Sequence, residues 1–397
     1  MAGAERLDPR YGWYLATAAT WFGGLGLQQV MLPWLVAGEL GASAQWIGLV
    51  QMANMLPGLV LLVVGGAVAD RRDPRGLLTL LHVLAMLPPL VLASAIGMGG
   101  LSIAVVFLCA LGMGSLNAFS NPARDSLLSE VAGHDVARAV TGLTIAQFGS
   151  QGAGMLLAGA ARWAGLAPVL AIQAIVVGIG AFLSRRVPRR SAPPPAHGPS
   201  LGEFGVGLRI VLGSPLRAVL ALTCGIGFLF SASYNVVFPV LVRDVYGGDV
   251  RDVSILMLTF PVGTIVGSFA LLARGGIHHK GRAFALSLVV AAGGLIVAGL
   301  GLPFPVVVGA GLVWGLAGAV FLNMGRTLFQ ERAPVKERGR VLAVNLLGFM
   351  ATAPLGAVLA GFVAAEFGPK AALVAAGAAM LVLVGLVVVV SDVVGME

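Results

Sequence analysis

The sequence predicts an all-α integral membrane protein with twelve transmembrane helices in two pseudo-symmetric six-helix bundles. Three observations predict it. Asp, Glu, Lys and Arg make up 11% of the 397 residues and apolar types 58%, whereas a soluble domain carries about a quarter of its residues charged. Apolar stretches of the length that crosses a ~30 Å hydrocarbon core as a helix, about 20 residues, recur between short charged punctuations. Polar landmarks of the first half reappear in the second. Helices are the spanning element because they satisfy their backbone groups internally, and the alternating segments of a membrane barrel are absent.

The predicted spans are 11–38, 44–69, 76–98, 101–124, 138–161, 165–184, 216–242, 252–273, 282–301, 303–325, 341–365 and 369–391. Ala42-Ser43-Ala44 after the first span has the small-residue look of a signal-peptide cleavage site. The apolar run before it is too long for a signal-peptide core, so it is read as helix 1. Cys109 and Cys224 fall inside helices 4 and 7, which implies packing and no disulfide framework.

Lys and Arg set the orientation. The N-terminal tail and the even-numbered loops hold Arg6, Arg10, Arg71, Arg72, Arg75, Arg124, Arg138 and a long run from Arg185 to Arg340, while the other side keeps Arg162, Arg243, Arg251 and Lys370. That 21-to-4 division places both termini in the cytoplasm. The net charge of +8 is thereby a topology signal, and no basic helix or aromatic-interleaved patch points to nucleic acid.

The longest polar interval divides the chain into 1–184, a linker 185–214 and 215–397. Ala192-Pro193-Pro194-Pro195 cannot continue a helix, and Leu201 to Leu212 then reads as a short helix on the inner membrane surface, with Phe204, Leu208 and Val211 on one face. A shift of 202 residues sets Asn121, Arg124, Arg138, Gly154, Leu157, Ala158 and Gly159 on Asn323, Arg326, Arg340, Gly356, Leu359, Ala360 and Gly361. A shift of 206 sets Phe22, Val30, Pro33, Leu35 and Val36 on Phe228, Val236, Pro239, Leu241 and Val242. Parallel six-helix repeats are a transporter architecture, with the substrate near the midplane between halves.

The most specific local signal is Gly66-Ala67-Val68-Ala69-Asp70-Arg71-Arg72-Asp73-Pro74-Arg75 between helices 2 and 3. Gly66 and Asp70 share a helical face, the glycine leaving room for another helix and the acid sitting at the membrane edge. The loop resembles the signature loop of the major facilitator superfamily. Pro33-Trp34-Leu35-Val36, Trp46 to Val50, Asn121-Pro122-Ala123-Arg124, Gln330 to Val341 and Pro354-Leu355-Gly356 extend the resemblance over nearly the whole chain, to the branch of enterobactin exporters and transmembrane secretion effectors. The equivalent second-half loop, Arg274 to Arg282, keeps basic residues but has no acid. The resemblance implies alternating access by rocking of the halves, with Gly66, Asp70, Arg71, Arg75, Arg124 and Arg340 forming a cytoplasmic conformational switch. It also implies that helices 1, 4, 7 and 10 line the cavity.

Polar side chains on those helices and their neighbours are few: Gln28, Gln29, Asn54, Asn117, Asn121, Gln147, Gln151, Tyr234, Asn235, Trp314, Asn323 and Asn345. Each is weighed between substrate contact and interhelical hydrogen bonding, worth roughly 0.6–2 kcal/mol. Gln28 and Gln29 match Tyr234 and Asn235 across the halves. Trp34 and Trp46 read as interfacial anchors. Glu39, Arg243 and Asp244 at the outer ends read as an outer gate or coupling group, set against ordinary solvated loop charges. Glu331, Glu337 and Arg332 to Arg338 are expected to contact the first half.

No Asp, Glu, Lys or Arg falls in the middle third of a predicted span, which argues for a weakly polar cavity, an amphipathic or neutral substrate, and against the usual intramembrane proton site. The five His residues lie in or beside loops on these spans, and His278-His279 reads as a polar loop. No catalytic constellation, metal-ligand spacing or nucleotide-binding loop is present, so neither enzyme activity, cofactor nor metal is expected. The expected function is secondary active export of a small amphipathic molecule, drug-like or siderophore-like, by a monomer, with proton antiport as one mode of drive. An importer or facilitator, a lipid transporter and a non-transporting receptor are the alternatives on the same scaffold.

Overall fold

The computed structural model describes residues 10–61, 65, 68, 72–132, 136–187, 201–274 and 277–396, and among them every long element is a helix and none is a strand. Helix α1 is Arg10–Trp34 and runs on through a widened π-turn, Leu35–Glu39. It is followed by α2 (Ala44–Val60), α3 (Pro74–Gly97), α4 (Ile103–Val131), α5 (Val136–Gly159) and α6 (Leu166–Ser184). The linker helix is Leu201–Leu212. Then come α7 (Leu216–Tyr246, with a π-segment at Ser231–Val237), α8 (Val250–Ala273), α9 (Lys280–Gly299) and α10 (Phe304–Arg332). The run Arg338–Val390 is interrupted at Gly368, φ 84°, which separates α11 (338–367) from α12 (369–390).

Among the described residues, eight stretches are long and apolar enough to cross a membrane, the last of them holding both α11 and α12. Helices α1 and α5 have the length, but their Gln, Thr and Gly residues dilute their hydropathy. They are also the helices that carry Gln28, Gln29, Gln147 and Gln151. Helices α4 and α10 continue about two turns beyond the predicted ends, so Arg124, Glu130, Arg326 and Glu331 are on helix and not in loops. Continuing the helix keeps the backbone bonded where the chain leaves the apolar layer.

The internal repeat is written in the backbone. All positive-φ residues among those described are glycines: Gly41, Gly99, Gly165, Gly247, Gly301 and Gly368. They pair as Gly41 with Gly247, Gly99 with Gly301 and Gly165 with Gly368, at separations of 206, 202 and 203 residues. Their φ values agree within each pair: 57° and 57°, 66° and 72°, 86° and 84°. Each glycine ends a helix in a left-handed turn that other residues adopt only at a cost.

Helix pairs repeat in the same way. In the first bundle α5 crosses α1, where a Cβ on Gly154 would lie 2.1 Å from the Gly23 carbonyl oxygen and one on Gly26 2.0 Å from that of Gln151. In the second, α11 crosses α7 with Gly356 against the Phe228 carbonyl and Gly227 against that of Phe349, at 2.0 and 2.3 Å. Gly114 of α4 meets the Asn54 carbonyl of α2, and Gly315 of α10 meets that of Phe260 on α8. Lipid offers no hydrophobic drive for helices to associate, so close backbone approach at small residues supplies the contact energy.

The chain divides into two compact units, 1–32 with 53–198, and 33–52 with 199–397. The end of α1 and the first half of α2, which the sequence places in the first half, are grouped with the second. The physical reason is local: Gly48 packs on the Ala357 carbonyl of α11, and Gly361 on that of Ala44. The first unit is centred on Tyr14, Trp21, Leu78 and Leu127, the second on Phe284, Leu288, Leu328 and Phe329. The linker helix lays Phe204, Leu208 and Val211 against the second core, with Gly207 on the backbone of Arg340.

Candidate transport-path residues

Within the first unit the polar side chains of α1 are largely committed to neighbouring helices. Gln28 Nε2 donates to Asn54 Oδ1 (3.1 Å) and Gln151 Nε2 to Gln29 Oε1 (2.7 Å). Trp21 Nε1 donates to Asn117 Oδ1 (3.1 Å), and Gln173 Nε2 to the Gly24 carbonyl (3.0 Å). The buried Gln28 Oε1 has no hydrogen-bond partner among the described residues. Gln147, half-buried one turn before Gln151, makes no side-chain hydrogen bond with the described residues.

Arg124 is the buried charge of this unit, 3% exposed. Its guanidinium carbon lies 4.5 Å from the Phe22 ring centroid and 5.3 Å from that of Trp21, and Nη2 donates to Asn121 Oδ1. Tyr14 Oη donates to the Arg124 carbonyl at 3.3 Å. Two aromatic faces and an amide therefore replace part of the water the cation has lost; Nη1 has no hydrogen-bond partner among the described residues. Gly66, Asp70 and Arg71 lie outside the described residues. Arg75 starts α3, its N–H donating to the capping Asp73 (3.3 Å) and its guanidinium to the Arg185 carbonyl.

One expectation is corrected here. His82 is neither in nor beside a loop: it lies inside α3, fully buried, edge-on to the Trp21 indole at 5.0 Å. The helix starts at Pro74, so His82 stands more than two turns in. Nδ1 is 2.8 Å from the Leu78 carbonyl and so carries the proton, while Nε2 makes no hydrogen bond of good geometry among the described residues.

In the second unit the π-segment of α7 carries the residues that the repeat singles out. Tyr234 Oη donates to the Met257 carbonyl of α8 at 2.6 Å. Its ring belongs to a cluster that sequence reasoning missed, joining Phe230, Phe238, Phe260 and Trp314 at centroid distances of 4.7–6.2 Å. Phe349 adds to it through Phe230. These aromatics come from α7, α8, α10 and α11 at no common sequence period, so only the fold assembles them. Asn235 is buried, and its carbonyl accepts from Gln51 Nε2 (3.3 Å). Asn345 Oδ1 accepts from Thr223 (3.3 Å), and Asn323 donates to the Ala319 carbonyl (2.8 Å) and to Ser268 (3.4 Å).

Two acids near one end of the second unit pair with cations inside it. Lys280 Nζ meets Glu331 at 3.0 Å and Arg340 pairs with Glu337. Glu331 and Glu337 each meet a cation of their own unit, Glu331 because the extended α10 carries it to the start of α9. At the other end of the unit, Arg243 Nη1 donates to the Ala37 (2.7 Å) and Ala42 (2.9 Å) carbonyls, and Nη2 to Asp244 Oδ2 (3.0 Å). Glu39 is exposed and forms no ion pair among the described residues.

The family profile described as transmembrane secretion effector matches residues 10–397. The chain belongs to the transmembrane secretion effector family of the major facilitator superfamily. This family member is 28% identical over 401 residues to the multidrug efflux pump Tap of Mycolicibacterium fortuitum, covering 93% of this chain and 92% of that one. It is 26% identical to the enterobactin exporter EntS of Shigella boydii over 201 residues, 50% of this chain and 47% of the exporter. Among solved structures it is similar in fold to the nucleoside transporter NupG, TM-score 0.76 at 14% identity, covering 96% and 98% of the two chains. A bacterial homologue of the human lysosomal transporter Spinster, inward-facing and unoccupied, gives TM-score 0.70 at 15% identity over 97% and 96%. The protein is thus a multi-pass membrane transporter of the major facilitator fold.

Proposed function

We propose that this secretion effector is a secondary active transporter that exports a small amphipathic molecule, drug-like or siderophore-like, by alternating access. The observation that carries the reading is its similarity to the multidrug efflux pump Tap over 93% of its length. Substrate contacts are assigned to groups with unused hydrogen-bonding capacity: Gln28 Oε1, Gln147 and the Asn235 side chain, with the Phe230 to Trp314 aromatic cluster beside Asn235 as an apolar wall. The remaining amides, Gln29, Asn54, Asn117, Gln151, Asn323 and Asn345, act as glue between helices, since each already has a partner. Neutral amides and aromatic rings suit a substrate without strong charge.

The switch is assigned to the Gly66–Arg75 loop, Arg124 and Arg340, and the drive to proton antiport across a bacterial inner membrane, with both termini cytoplasmic and the protein a monomer. Each substrate or ion must bind one state better than the other to move the cycle. The test is proton flux in liposomes of the purified protein, using a pH-sensitive dye and a panel of lipophilic drugs and siderophores. Substrate-dependent proton movement that is lost in Asp70→Asn supports the reading. Uptake of a labelled compound without proton movement removes antiport, and silence in both channels removes export.

A further inference from the structure

The far end of α1 is held by a single guanidinium. A helix leaves its last carbonyls without intrahelical donors, and here α1 ends in the widened turn Leu35–Glu39 followed by the left-handed Gly41. The Ala37 and Ala42 carbonyls both accept from Nη1 of Arg243, near the end of α7, while the opposite edge of the guanidinium is occupied by the Asp244 carboxylate. Asp244 therefore fixes the plane of the fork and Nη1 bridges the two strands of the turn. The repeat sets Ala37 at the position equivalent to Arg243, so the first half has no counterpart and the clasp is one-sided.

The other contacts of the 33–52 segment described above are uncharged: Gln51 Nε2 donates to the Asn235 carbonyl (3.3 Å), and the rest are glycine crossings. Gly48 on the Ala357 carbonyl and Gly361 on that of Ala44 are close backbone contacts between small residues. Such a crossing carries no charge, and it can open and close without breaking an ion pair. The Arg243 clasp, three-quarters buried at its side chain, is the charged tie across it.

We propose that Arg243 is a positioning residue of the transport cycle: it clasps the end of α1 and sets the balance between closed and open forms of the 33–52 segment against α7 and α11. This rests on the alternating-access reading, in which the segment must leave and return once per cycle. Removing the clasp favours the open form.

The experiment measures distances by electron spin resonance between nitroxides at Ser43→Cys and Glu366→Cys, both exposed positions, in purified protein in lipid nanodiscs. Cys109 and Cys224 are first replaced by Ala. With Arg243 present a single short distance should dominate. Arg243→Ala should raise the long-distance population about tenfold, as expected for the loss of a charge-assisted hydrogen bond, and Arg243→Lys should restore part of it. A second label pair at Leu300→Cys and Glu366→Cys, within α9–α12, should stay unchanged, separating release from unfolding. An Arg243→Ala distribution identical to the parent overturns the proposal, and a change in both label pairs also does so by showing a merely structural role. Redistribution in a protein that transports nothing leaves the clasp standing while the export reading falls; transport with an unmoved distribution does the reverse.

Discussion

The side-chain amide of Gln51 donates to the backbone carbonyl of Asn235 at 3.3 Å. In an α-helix that carbonyl would be served by the N–H four residues on, which is Pro239 and has none to give. The proline also stands two residues after the π-segment Ser231–Val237, where the backbone has already left regular helical bonding. Gln51→Ala should therefore leave a buried acceptor short of a donor and cost about 1–3 kcal/mol. In a Pro239→Ala background the new N–H can serve the carbonyl, so the same substitution should cost less. Thermal melting of the four proteins as a double-mutant cycle checks this; equal costs in both backgrounds would sink the account.

Glycine at helix crossings should be intolerant where backbone is opposed and indifferent elsewhere. Gly154→Ala and Gly356→Ala each drive a Cβ to about 2 Å from a carbonyl oxygen, and overpacking of this kind costs about 1–3 kcal/mol. Gly149→Ala and Gly293→Ala meet nothing within 4 Å and lie inside helices, where Ala is favoured by about 1 kcal/mol. The first pair should lower the melting temperature in detergent and the second should hold or raise it.

Stability and transport should separate between two groups of polar residues. Tyr234→Phe strands the Met257 carbonyl that its hydroxyl serves and is expected to lower stability by about 1–2 kcal/mol while transport persists. Gln147→Ala and Asn235→Ala remove no side-chain hydrogen bond and should leave melting unchanged while weakening apparent substrate affinity. Loss of affinity in Tyr234→Phe, with none in the other two, would reverse the assignment of wall and contact.

His82 is buried, and the charged group facing it from a packed helix is the cation Arg124 of α4; its polar neighbours are Thr20 and the Thr17 backbone of α1. Its Nδ1 is held by the Leu78 carbonyl of its own helix, which gives the ring a packing role. His82→Leu should cost under about 1.5 kcal/mol and leave the pH profile of transport unaltered. A flattened profile in that variant would make His82 part of the coupling path.

Which parts were legible in the sequence follows from what each feature depends on. The helical membrane class and the repeat were legible, because they rest on composition, on runs of about 20 apolar residues and on Pro33/Pro239 and Asn121/Asn323 recurring at fixed spacing. Gln28, Gln29, Tyr234 and Asn235 were picked out by that same spacing. Whether each faces a helix or a substrate was not legible, since Gln28 and Gln147 look alike until Asn54 is found beside one and no partner beside the other.

The sequence by itself determined the solvent: 58% apolar residues and 57 glycines suit close-packed helices in lipid. Tertiary structure alone decided the partners. It buried His82 on Trp21, drew six aromatics from four helices into one cluster, and tied the end of α1 to Arg243 two hundred residues away. Those contacts are set by helix rotation and crossing position, which depend on the shape of every neighbouring side chain and leave no period in the sequence to read.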